Sequence, residues 1–288
     1  MNASALQRSM PAMRTYSFLL TILLTLHALP AHADLMLYPT RIVLAEATQA
    51  AQVELINNGQ ETATYRISLV NLRMSETGEF AAANPPSPDE RFADRMLRYS
   101  PRQVTLPPGA SQTIRMMADL PERLPAGEYR SHLQFDRLPP PSGSSSIETA
   151  LTLGDRQIGV RLTPLIGASI PVILRHGETS ASVSLSSLEL SVHQESGLPL
   201  LSMELQRSGN QSVYGDITVS FVPRDGQAQT IGSAGGVAVY TPNSVRRASL
   251  LLQPPQGLKL QDGSLQVSYQ ERAEDGGHVL AEAQLALP

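Results

Sequence analysis

From Ile158 to Leu174 every even-numbered position is apolar or proline, whereas the odd positions are mixed. Alternation with a period of two is the signature of a β-strand. A usual strand runs to about 5–6 residues, and this run is seventeen long. A strand of that length can serve two cores, one half packing its own domain and the other offering side chains elsewhere. Alternation alone fits either use, because a donated residue and a core residue leave the same pattern.

The rest of the chain favours the same backbone. No long segment with a 3.6-residue period follows the first thirty residues. Short β-rich runs alternate with Gly, Pro, Asn and Ser clusters, which reads as an all-β sandwich or barrel. The first half carries seven candidate strands, Leu35–Leu44, Gln52–Ile56, Thr62–Leu72, Arg98–Leu106, Gln112–Ala118, Glu128–Asp136 and Gln157–Arg175. Asn57-Asn58-Gly59 and Pro107-Pro108-Gly109 supply turn chemistry between them. Pro39 interrupts the first run, as in an edge strand that bends or changes sheets. Ala81–Arg91 and Leu138–Ser146 read as mobile segments. The second half repeats the pattern with Ser182–Val192, Pro199–Gln206, Val213–Phe221, Gln229–Tyr240, Ser244–Leu252, Ser264–Glu271 and His278–Leu287. Val53–Gly59 leading to Tyr65 is echoed by Met203–Gly209 leading to Tyr214. Two tandem immunoglobulin-like β-sandwich domains are expected, 34–175 and 176–288, joined at Arg175-His176-Gly177.

Residues 1–33 read as a cleavable signal peptide. Arg8 and Arg14 precede the apolar run Ser17–Leu26, and Ala31-His32-Ala33 fits the small-x-small cleavage rule. The apolar run is short for a membrane span, and no later stretch is long and apolar enough to span, so no membrane insertion of the mature chain is expected. Loss of Arg8 and Arg14 takes the formal charge from −4 to −6, an unfavourable balance for nucleic acid. There is no cysteine, so stability comes from apolar burial without disulfides.

The chemistry of catalysis is hard to find. His132, His176, His193 and His278 are not at metal-ligand spacing, and each reads as a strand or turn surface residue. No G-x-S-x-G elbow, Walker loop or dinucleotide fingerprint occurs. Lys259 is the one lysine, which removes most lysine-based covalent chemistry. No enzyme, metal or cofactor is expected.

Four features together resemble the periplasmic chaperones of the chaperone–usher pilus pathway, the PapD-like family. They are Tyr38-Pro39-Thr40-Arg41-Ile42-Val43; Val53–Gly59 followed by Tyr65-Arg66-Ile67; Tyr99–Arg102 through Leu106–Gly109 to Thr113–Arg115; and Gly127–Leu133 followed, after a spacer, by the long strand ending Ser169–Arg175. The resemblance implies an exported protein that binds pilin subunits by strand addition and delivers them to an outer-membrane usher. Backbone hydrogen bonds then give affinity, and alternate side chains fill pockets. It implies Ile158, Val160, Leu162 and Ile166 as subunit-binding residues, with Ile170, Val172 and Leu174 packed internally. Arg41 matches the arginine that holds the subunit's C-terminal carboxylate. Its usual lysine partner is replaced by Pro171, and Arg161 is the candidate stand-in. Glu128 and Arg175 match an interdomain ion pair, completed by Glu271 or Asp275. The donor edge also offers a route to self-association. The rival reading is a structural or adhesive immunoglobulin-like surface protein, itself a pilus component.

Overall fold

The computed structural model describes residues 35–139 and 167–288. Its described residues form eighteen strands and two short 3-10 turns. The first half builds one sandwich. Its first sheet has the order β1 (Leu35–Tyr38), β3 (Ala50–Asn57), β9 (Ser111–Ala118), β7 (Leu97–Ser100). Its second has the order β2 (Ile42–Leu44), β11 (Gly167–His176), β10 (Gly127–Arg137), β4 (Ala63–Val70), β8 (Gln103–Leu106). Lettered along the chain, one sheet is A-B-E-D and the other carries G-F-C, which is immunoglobulin topology. Tyr129 near the start of β10 donates its hydroxyl to the Pro125 carbonyl at 2.9 Å, the tyrosine corner of such folds.

Two runs read as single strands are each cut by a proline. β1 and β2 flank Pro39 and lie in opposite sheets, and so do β7 and β8 around Pro101. Proline has no N–H for the ladder, so pairing ends there and the chain crosses to the facing sheet. The Pro39 crossing matches the expectation; the Pro101 crossing is an addition to it.

The first core follows from the alternation. Val53, Leu55, Ile114, Leu133, Phe135, Val172 and Leu174 are all fully buried between the two sheets. Ile170 joins them, so the last half of the long strand packs internally as expected. The Asn-Asn-Gly turn is closed by Asn57, whose amide donates to the Glu61 and Leu106 carbonyls, both at 2.8 Å, while its Oδ1 accepts from Gly59 N–H at 3.0 Å.

The second half builds another sandwich. β12 (Ala181–Val192), β13 (Pro199–Gly209) and β16 (Val245–Leu251) face a sheet ordered β15 (Gln229–Val239), β14 (Val213–Pro223), β17 (Gly263–Gln270), β18 (Val279–Leu287). Leu201, Leu205, Val219, Phe221, Val267 and Tyr269 fill the space between them.

A hairpin of β5 (Leu72–Met74) and β6 (Phe80–Ala82) has no counterpart among the expected strands. It reaches across to the second sandwich. Asn243 donates to the Met74 carbonyl at 2.8 Å, and Arg247 N–H to the Glu76 carbonyl at 2.7 Å. Arg247 and Glu76 also form an ion pair. Met74, Ile173, Ala238 and Tyr240 make a small third core at this junction. Downstream, the Ala81–Arg91 segment is held rather than loose. Arg73 forms a two-pronged pair with Glu90 at 2.6 and 2.7 Å, and Ser87 N–H donates to the same carboxylate. Arg73 holds the Glu90 carboxyl below its ordinary range.

Candidate functional site

The long strand is the first element to place. β11 pairs along its full length with β10, from Gly167 opposite Asp136 to His176 opposite Gly127. On its other side β2 covers only Val172–Leu174, in parallel. Among the described residues, Gly167–Pro171 therefore has one unpaired edge, and this edge runs back toward Ile166. Ile158, Val160, Arg161, Leu162 and Ile166 lie outside the described residues.

Arg41 immediately precedes β2, whose first residue, Ile42, is opposite Val172 of β11. Its side chain is 11% exposed, in the crevice between the sandwiches. The guanidinium lies 4.7 Å above the ring of Tyr214 and 3.8 Å from Asp275 Oδ1, both from the second sandwich. Its Nε is buried and makes no hydrogen bond to the described residues. Arg272 shares the Tyr214 ring at 5.2 Å and pairs with Asp216 at 3.2 Å. The second cation on this ring thus comes from the second sandwich, at a position that strand alternation does not single out.

Glu128 and Arg175 are directly opposed in the β10–β11 register. Arg175 Nε donates to Glu128 Oε2 at 3.1 Å, and the carboxylate side chain is fully buried. From the second sandwich Ser212 donates both its N–H, at 3.1 Å, and its hydroxyl to the same carboxylate. Glu271 does not join this group. It lies beside the β17–β18 turn, 3.0 Å from His278. Asp275 faces Arg41 rather than Arg175. Ser212 stands where an acid was expected, and its N–H and hydroxyl add two donors to the one that Arg175 gives the Glu128 carboxylate.

His132 is a clear departure from the expected surface position. It is 2% exposed, and burial with nearby Arg130 lowers its pKa to about 3. The outer face of β10, which bears Glu128, Arg130 and His132, is covered by the β5–β6 hairpin and the second sandwich. Local alternation cannot announce a cover that arrives from another domain.

Among the described residues no group of His, Cys, Asp and Glu could hold a metal ion. No described helix is long and apolar enough to cross a membrane.

No family model matches the chain, and no curated protein matches it. Solved structures do. The YadV chaperone is 14% identical, with 88% of this chain and 100% of that one covered at a TM-score of 0.45. The Pseudomonas aeruginosa CupB2 chaperone is 11% identical over 88% and 100%, at 0.43. The Salmonella enterica SafA pilin in complex with the SafB chaperone gives 12% over 90% and 99%, at 0.43.

Proposed function

We propose that this protein is an exported, non-enzymatic chaperone for pilus subunits that works by strand addition. The observation that carries the reading is the edge of β11 at Gly167–Pro171 that is unpaired among the described residues. An open edge is an aggregation hazard that proteins ordinarily blunt. Here it continues in sequence into the alternating residues Ile158, Val160, Leu162 and Ile166, which would fill the groove of an incomplete subunit. Burying four aliphatic side chains contributes roughly 6–12 kcal/mol gross, from which the cost of ordering is subtracted.

Arg41 would receive the subunit's C-terminal carboxylate. A guanidinium fork suits a carboxylate, and its free Nε and long contact to Asp275 leave donors for one. With Pro171 at the customary lysine, Arg161 or the nearby Arg272 would supply further positive charge. Residues 1–33 would direct export to the periplasm, 34–175 would bind the subunit, and 176–288 would form the other wall of the crevice. Delivery would be to an outer-membrane usher in pilus and cell-wall assembly. In the free protein the same edge would pair with a second copy.

Co-expression with pilin subunits encoded beside it, followed by affinity isolation, tests the reading. The Ile158→Glu, Leu162→Glu double variant should lose the subunit, and Arg41→Ala should weaken its capture. Undiminished capture by the double variant refutes strand donation.

A further inference from the structure

Arg41 holds its acid far more loosely than Arg175 does. The Arg41–Asp275 contact is 3.8 Å, beyond hydrogen-bond length, and the Asp275 side chain is 37% exposed. The Arg175–Glu128 contact is a 3.1 Å hydrogen bond to a fully buried carboxylate, which two further donors from Ser212 fix in place. Asp275 ends the 3-10 turn Ala273–Asp275 in the connection from β17 to β18. That connection closes on its own backbone. Asp275 N–H and Gly277 N–H both donate to the Arg272 carbonyl, at 2.9 and 3.0 Å, and Glu271 N–H donates to the His278 carbonyl at 2.9 Å. The Asp275 side chain can therefore leave Arg41 without unmaking the turn that carries it.

The two cations at the Tyr214 ring are already opposed. Asp216 accepts from Arg272 Nε at 3.2 Å and from Gly236 N–H at 2.7 Å. Glu274 lies 3.8 Å from Arg272, and Asp275 lies 3.8 Å from Arg41. Three carboxylates thus face Arg41 and Arg272. A further carboxylate arriving at Arg41 would sit beside a like charge unless Asp275 withdrew, and like charges at close range repel. Asp216 is fixed by two donors, whereas Asp275 has one long contact, so Asp275 is the acid that yields. Exchanging one carboxylate for another needs no cavity beyond the volume of the group that leaves, and that group is open to solvent. The Tyr214 ring covers a flat face of the Arg41 guanidinium and leaves its edge to whichever carboxylate is present.

We propose that Asp275 is an autoinhibitory stand-in for a ligand carboxylate: it occupies Arg41 in the free protein and is displaced when the C-terminus of a pilin subunit binds. The inference rests on the reading of Arg41 as the receiver of that carboxylate. It gives the second sandwich a part in setting subunit affinity, through the β17–β18 turn. The pair is part-exposed and hence weak, so the stand-in loosens capture a few-fold and does not block it.

Titration of labelled peptides by fluorescence anisotropy tests the stand-in. The peptides copy the last strand of a pilin subunit encoded beside the protein, one ending in a free carboxylate and the other in a carboxamide. Wild type should prefer the acid-ended peptide. Asp275→Asn should bind the acid-ended peptide about two- to fivefold tighter than wild type does, and the amide-ended peptide with unchanged affinity. Glu282→Gln removes the same charge from β18, opposite Ser268, and should change neither. A crystal of the wild-type complex should show the peptide carboxylate on Arg41 and Asp275 turned away, a readout that needs no variant to fold. If wild type shows no preference for the acid end, the reading of Arg41 fails and the stand-in with it. If wild type prefers the acid end, the stand-in alone is overturned when Asp275→Asn binds that end no tighter, when it tightens both peptides alike, or when Asp275 keeps Arg41 in the complex.

Discussion

Glu128→Ala is the sharpest single perturbation of the junction. The carboxylate side chain is fully buried and accepts from Arg175 Nε, Ser212 N–H and the Ser212 hydroxyl. Removing it strands a guanidinium and a buried serine with one stroke. Breaking a buried ion pair by deleting one partner costs about 3–5 kcal/mol. Arg175 is 22% exposed, so water recovers part of its solvation and the lower figure, about 3 kcal/mol, applies. At about 2–4 °C per kcal/mol for a chain of this size, Tm should fall by about 6–12 °C. Glu128→Gln keeps one acceptor for Ser212 and should cost about half as much. The chain has no tryptophan, so urea unfolding is followed by far-UV circular dichroism and tyrosine fluorescence. An alanine variant within about 0.5 kcal/mol of wild type refutes the assignment of this carboxylate as the bond between the sandwiches.

Other expectations follow from single contacts. Phe135→Ala, emptying a fully buried ring site, should cost about 3–5 kcal/mol by denaturant titration. Tyr129→Phe should cost about 1 kcal/mol through the lost Pro125 bond, and an unchanged midpoint would deny the corner its role. His132 is held near pKa 3 in the folded chain, against about 6.5 when unfolded. Its contribution is therefore fully present above pH 6.5 and declines by about 1.4 kcal/mol per unit as pH falls toward 3. His132→Leu should flatten that part of the stability–pH curve, measured by urea titration at each pH. Arg73→Ala releases Glu90 and should make the chain near Pro85–Arg91 the first site of limited proteolysis.

Much of this fold is legible in sequence for a physical reason. Inward residues such as Val53, Leu55, Leu133 and Val172 alternate with outward ones, and the turns at Asn57–Gly59 and Pro107–Gly109 mark where the chain passes from one sheet to the facing one. The cut at Pro101 was hidden because Arg98–Leu106 remains β-rich on both sides of it. The β5–β6 hairpin was hidden because three-residue strands carry too little periodicity, and Ser75–Glu79 looks like any polar turn. Of the expected site residues, Glu128 and Arg175 are brought together because they face each other across a regular register. Glu271 stays apart beside His278. Ser212 and Tyr214 were missed because Glu128 and Arg41, which they meet, come from the other half of the chain, and Arg272 was missed because it lies past the end of β17, where no alternation marks it. Arg130 and His132 look like the wet side of a strand until the second sandwich is placed over them.

The β5–β6 hairpin changes what the short covalent join at 176–178 must do. A body tethered at one point can swivel freely; tethered also at a second, remote point, it can turn only about the line through both. Asn243 and Arg247 gripping the hairpin tip provide that second tether. The angle between the halves is then written in the tip as much as in the connecting peptide. Gly78 lets the tip turn with a positive φ. A Cβ there would come to 2.5 Å from the Arg246 guanidinium at a φ of +90°, so a side chain at this position would strain the tip and displace Arg246, loosening the second tether.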